Sequence, residues 1–259
     1  MEVFYLFFIF FLGTFIGSFL GVVVDRLPIG ESILKGRSHC DHCRKTLGVL
    51  DLVPVFSFLV LRGKCRYCHK RLSYFYPIIE VVSGVLFVVV LMNSGISNYI
   101  EIFYLLFIIS ELIALFFIDL KYGILPFPII ASATIITFLY QILNTEYFIL
   151  NNILSATCAF LFFLALFLGT RGRGMGFGDA VYAFFMGLLL GFPKIVLGLY
   201  IAFVGGALVA LFLILLKRKK LKGSTIPFGP FLVAGTIISL FWGDNLISLT
   251  FNLLQFTIK

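Results

Sequence analysis

The sequence predicts an all-α polytopic membrane protein of about eight transmembrane helices, with a small cytosolic four-cysteine domain after the first. Three observations carry that prediction. Of 259 residues, 61% are hydrophobic and only 12% charged, with a mean hydropathy of +1.11. The apolar residues fall in long runs, and about 20 in a row cross a bilayer as a helix. A polar stretch holding two Cys-x2-Cys pairs separates the first two runs. This composition excludes a soluble domain.

The net charge of +8 would ordinarily suggest nucleic acid. Here ten of the 20 basic residues lie in 26–71 and five in 217–222, a clustering that suits cytosolic loops better. The expected surroundings are a lipid bilayer, with no nucleic acid.

In chain order, the first run spans 4–24. Glu2 is the only charge before it and no small-residue cleavage site follows, so the run is expected to remain as a membrane helix. Further spans read at 76–92, 101–119, 126–142, 148–169, 180–192, 194–216 and 226–242. The run 180–192 is short and could pass Pro193 only with a kink. A last run, 246–257, is too short to span and is placed at the interface.

The loops set the orientation. Segment 25–75 carries ten Lys/Arg against four acids, whereas 93–100 and 143–147 carry no Lys or Arg. Eight spans with an external N-terminus place 25–75, Arg171, Arg173 and the cluster Lys217, Arg218, Lys219, Lys220, Lys222 inside. Lys194 is the one basic loop residue left outside.

Within 25–75, Cys40-x2-Cys43 precedes Cys65-x2-Cys68. Each pair lets a tight knuckle present two thiolates to one tetrahedral Zn2+, and the spacing approaches that of zinc ribbons. Thiols stay reduced in the cytosol, which makes disulfide or redox pairing the weaker alternative. Four cysteines close the shell, so the zinc is expected to be structural and His39, His42 and His69 to lie outside it. Cys158, in an apolar run, reads as a packing residue.

The motif Arg171-Gly172-Arg173-Gly174-Met175-Gly176-Phe177-Gly178-Asp179 sets glycines before one carboxylate where a loop re-enters a helix. Asp119, in Ile118-Asp119-Leu120, lies at another helix end with Gly123 and Pro126 beyond it. The orientation count places both at the cytosolic ends of their helices. Acids at that depth are costly and mark functional sites. Paired, the two aspartates could hydrolyse a peptide, one carboxylate drawing a proton from water and the other acid polarising the carbonyl. Held close, such a pair shares one proton and titrates as a unit. Gly174, Gly176 and Gly178 are expected to supply unusual backbone angles and close approach for an extended substrate. Taken singly, Asp179 could merely cap the next helix and Asp119 could pair with Lys121.

Glu80 and Glu111 also lie in apolar runs. Glu111 precedes Asp119 by eight residues, about 80° around a helix, and Glu80 reads as a brace for the cysteine domain. Asp25 and Arg26 read as an interfacial pair, and the 33 Phe as lipid-facing and core residues. A transporter or assembly factor using its acids as a relay is the competing class. No internal repeat of the kind common in transporters is evident.

Through most of its length the sequence closely resembles the type IV prepilin leader peptidases, membrane aspartic proteases. The matching pieces begin with Gly17-Ser18-Phe19-Leu20, Arg26-Leu27-Pro28, Arg37-Ser38-x-Cys40-x2-Cys43 and Leu52-Val53-Pro54. They continue through Arg62-Gly63-Lys64-Cys65-x2-Cys68 and Tyr76-Pro77-Ile78-Ile79-Glu80 to Ile118-Asp119-Leu120 with Pro126. Gly174-Met175-Gly176-x-Gly178-Asp179 and Pro227-Phe228-Gly229-Pro230-Phe231 complete them. The Gly-x-Gly-Asp quartet also resembles that of presenilin-type proteases, which lack the four-cysteine insert.

The resemblance implies that Asp119 and Asp179 are the catalytic pair. The implied substrates are prepilins or pseudopilins with a basic leader and hydrophobic N-terminal helix, cut after a glycine at the cytosolic face of a prokaryotic inner membrane. It also implies N-methylation of the new N-terminus with S-adenosylmethionine in many members; a peptidase-only enzyme is the narrower alternative. The sequence departs at Gly21, where Asn is usual, at Phe127, where Asp is common, and at Val181, where Lys is usual. The expected organisation is a first transmembrane helix (1–24), a zinc-ribbon-like cytosolic domain (25–75) and a multi-helix membrane peptidase domain (76–259).

Overall fold

The computed structural model describes residues 2–40, 42–94, 98–144, 149–216 and 227–257. Among them the chain forms nine α-helices and no named strand. Seven are long and apolar enough to cross a membrane: α1 (Glu2–Arg26), α3 (Phe75–Ser94), α4 (Tyr99–Tyr122), α5 (Phe127–Asn144), α6 (Ile149–Gly169), α8 (Lys194–Leu215) and α9 (Gly229–Thr257). The other two are α2 (Phe56–Val60) and α7 (Phe177–Leu190). The run read at 180–192 is α7, whose 14 residues rise only about 21 Å, short of the ~30 Å hydrocarbon layer. It is short because the glycine loop delays its start and Gly191 and Pro193 follow its end. The run 246–257 is not a separate piece but the continuation of α9, since no proline interrupts 231–257 and the helix carries through Gly235 and Gly243. The basic cluster 217–222, and Asp41, lie outside the described residues.

The chain divides into two compact units, Met1–Phe117 and Ile118–Lys259. In the first, α1 packs along α3 almost backbone to backbone. A Cβ at Gly13 would lie 2.8 Å from Gly84 Cα, and one at Gly17 would lie 2.7 Å from Glu80 Cα. Small residues permit this closeness where lipid offers no hydrophobic drive to bring helices together.

In the second unit α7 is the inner helix. Ala180, Tyr182, Phe185, Met186 and Leu188 are all buried, as suits a helix apolar on every side. Gly187 lets it touch α6, since a Cβ there would lie 2.5 Å from Ala156 Cα. The Tyr182 hydroxyl meets Thr236 Oγ1 of α9 at 2.8 Å. At the far end Gln141 of α5 and Asn152 of α6 both donate to the Leu188 carbonyl, at 2.6 and 3.0 Å. Those bonds satisfy a carbonyl in α7's last turn, which has no helical partner of its own.

Candidate functional site

The cysteine domain is two copies of one knuckle. In the first, Cys40 N–H donates to Lys45 O and Arg44 N–H to Cys40 O; in the second, Cys65 N–H donates to Lys70 O and His69 N–H to Cys65 O. Arg44 and His69, one residue past the second cysteine of each pair, are left-handed at φ 52° and 57°. Isolated bridges His39–Thr46 and Lys64–Arg71 close the two loops. The knuckles bring the four sulfurs within 4.8 Å of one another, with Cys40 and Cys68 Sγ 3.9 Å apart. Tetrahedral Zn–S bonds of about 2.3 Å require sulfurs about 3.8 Å apart. The donor set fits a closed metal site, and all five cysteines are unbridged thiols.

Burial opposes the Cys65 thiolate, yet the Cys68 and Tyr67 amides and the Cys40 and Cys68 thiols bring it down to about 7. The Lys70 amide favours the Cys68 thiolate, but burial and the thiols of Cys65, Cys43 and Cys40 push it up to about 11. His39, His42 and His69 are exposed and outside the cluster. Cys158 is exposed on α6, not packed, because its helix turns that face outward.

Asp51 ties the second knuckle to the turn at 49–52: its Oδ2 accepts the Gly48 N–H, and Arg66 Nε lies 2.7 Å from its Oδ1. Lys45 of the first knuckle stands 4.3 Å over the Tyr67 ring of the second. Glu80, 8% exposed in α3, accepts the Val55 N–H at 2.7 Å and the Ser18 hydroxyl. Val55 is left-handed at φ 60°, an uncommon conformation for a β-branched residue. Asp25 takes the Tyr76 hydroxyl at 2.7 Å, while Arg26 reaches the carbonyls of Ser32, Lys35 and Arg37.

Both aspartates belong to the second unit. Asp119 lies in the last turn of α4, which ends on left-handed Gly123, whose N–H donates to Asp119 O at 2.8 Å. Asp179 is the third residue of α7, its Oδ2 accepting the Gly176 N–H at 2.9 Å. The helix-capping alternative is therefore realised alongside whatever else the carboxylate does. Both residues are buried, 4% and 9% exposed, and the carboxyls are within electrostatic reach of each other.

Gly174, Gly176 and Gly178 do not supply left-handed angles; within the loop only Arg171 and Gly172 do. Two of the three serve closeness instead. A Cβ on Gly174 would lie 3.0 Å from Thr170 Cγ2, and one on Gly178 3.2 Å from Leu125 Cβ. Glu111 lies half-buried along α4, and Phe127 is exposed beside the site's connecting loop. Sequence reasoning assigned no role to Leu125 or Gly229, which flank the pair; Gly229-Pro230 at a helix start was the available signal.

Two family models match the chain: the bacterial peptidase A24 N-terminal domain over residues 11–94 and the type IV leader peptidase family over residues 105–211. A Bacillus subtilis (strain 168) protein named prepilin leader peptidase/N-methyltransferase is 32% identical over 247 residues, covering 93% of this chain and 95% of that protein. Proteins of the same name from Pseudomonas putida and Legionella pneumophila are 30% and 29% identical. They cover 95% and 90% of this chain, and 93% and 90% of their own lengths. No solved structure matches.

Proposed function

The chain belongs to the type IV leader peptidase family, and we propose that it removes the leader of prepilin-like proteins with Asp119 and Asp179 as the catalytic pair. The observation that supports this reading is the approach of two buried carboxyls, each facing a glycine amide at the start of a helix. One carboxylate takes a proton from water as its oxygen attacks the scissile carbonyl, and the other acid protonates the carbonyl oxygen. Collapse of the tetrahedral diol breaks the C–N bond and passes a proton to the leaving amine.

The relatives' shared name adds a second step, methylation of the freed N-terminal amine. S-Adenosylmethionine would supply the methyl group. Cys40, Cys43, Cys65 and Cys68 would hold a structural Zn2+ that closes the 25–75 domain, leaving 76–259 to carry the membrane chemistry. The clustering of basic residues in the loops supports a cytosolic side for this domain and both aspartates, at a prokaryotic inner membrane. A dyad there reaches the bond between a basic leader and the hydrophobic helix that follows it.

The test incubates membranes holding this chain with a prepilin from the same genome and follows the substrate's mass. Loss of the leader is expected, with one further methyl. Unchanged mass with several such substrates would overturn the reading, and leader loss without methyl would reduce it to a peptidase alone.

A further inference from the structure

Gly229 opens α9 with its backbone against Asp119. A Cβ placed there would lie 2.5 Å from Asp119 Oδ2, 2.9 Å from Cγ and 3.0 Å from Leu125 Cδ2. Real Cβ atoms essentially never approach so closely. The φ of Gly229 is not left-handed, so an alanine suits the backbone and only the neighbour forbids it. Its N–H is directed at the same carboxyl. Asp119 Oδ2 is itself buried, with no hydrogen-bond partner among the described residues.

We propose that Gly229 is a positioning residue: its amide holds the Asp119 carboxyl, and its missing side chain leaves that carboxyl the place it occupies. It is the counterpart of Gly176, whose N–H holds Asp179 at 2.9 Å. In both places a glycine at a helix start stands against one carboxyl. The inference rests on the reading of the two aspartates as the catalytic pair. Restoring ordinary contact after adding a methyl at 229 moves the Asp119 carboxyl by about 1 Å, and a misplacement of that size costs on the order of 10²-fold in rate.

The experiment measures prepilin cleavage by purified full-length chain in lipid, comparing Gly229→Ala, Gly205→Ala, Leu125→Ala/Gly229→Ala and Asp119→Asn. Gly205 is the control, since a Cβ there meets nothing nearer than 3.8 Å. Gly229→Ala is expected to lose about 100-fold in kcat with KM within about twofold, and Gly205→Ala to match wild type. The double variant removes the Leu125 contact but not the Asp119 contact. It should regain any thermal stability lost by Gly229→Ala without regaining kcat. Recovery of kcat in the double variant, a change confined to KM, or wild-type kcat in Gly229→Ala would each overturn the proposal. Cleavage by Asp119→Asn would sink the catalytic-pair reading itself, whereas an inactive Asp119→Asn beside an active Gly229→Ala removes only the role of Gly229.

Discussion

Asp119 and Asp179 are buried, 4% and 9% exposed. A buried carboxyl is costly to keep unless its proton affinity is used. Asp119→Asn and Asp179→Asn each keep the shape and remove the titration. Each is expected to slow leader removal by about 10³-fold or more while leaving thermal unfolding unchanged; a variant cutting within tenfold of wild type would refute the pair. The wild-type rate should show a bell-shaped pH dependence whose limbs belong to the pair jointly, not to either residue. These two residues stand out in the sequence because acids are rare in apolar runs, and the structure buries both. Gly229 does not stand out, because a glycine that matters by what it lacks shows only once Asp119 is placed beside it.

Elements were legible to the extent that apolar runs specify them. The eight runs each became a helix, but α7 stops at 14 residues and α9 runs on to Thr257, since hydropathy marks lipid-compatible length and not where a glycine loop releases the chain. The paired knuckles followed from Cys-x2-Cys alone, yet their matched left-handed Arg44 and His69 did not, neither residue type advertising that conformation. The purified chain is expected to carry one zinc by elemental analysis and Cys65→Ser about none; an empty wild-type site would reject the metal. Glu80 was read as a brace, and the Val55 amide at 2.7 Å gives that brace its mechanism. Glu80→Ala leaves a part-buried N–H and a strained Val55 without their acceptor. Thermal unfolding should show a loss of about 1–3 kcal/mol, and an unchanged transition would mean that solvent replaces the carboxylate freely.

At the scale of the molecule, the proposed cleavage needs a bond beside a membrane helix to meet the aspartates, and the short α7 suggests how. A helix of about 21 Å reaching the outer interface at Gly191 begins roughly 9 Å below the inner one. Asp179, in its first turn, then lies inside the hydrocarbon depth, where irregular backbone persists only around a cavity. The glycine loop above it would admit water and extended substrate from one side. The orientation expected from the basic loops has Arg173 and segment 25–75 on the cytosolic side, with positions 96, 146 and 192 opposite. Fusing a fluorescent protein that folds only in the cytosol, or a phosphatase active only outside it, after each position tests this directly. Fluorescence is expected after Arg71 and Arg173, and phosphatase activity after 96, 146 and 192. Phosphatase activity after Arg173 would place Asp179 on the outer side, where a basic leader is never presented, and cytosolic cleavage would fall with it. The alternative pattern, fluorescence after both 173 and 192, would make α7 a re-entrant helix. The dyad would stay cytosolic, but α8 and α9 would then cross in the reverse sense and take Lys194 and Asp244, 2.7 Å apart, to the inner face.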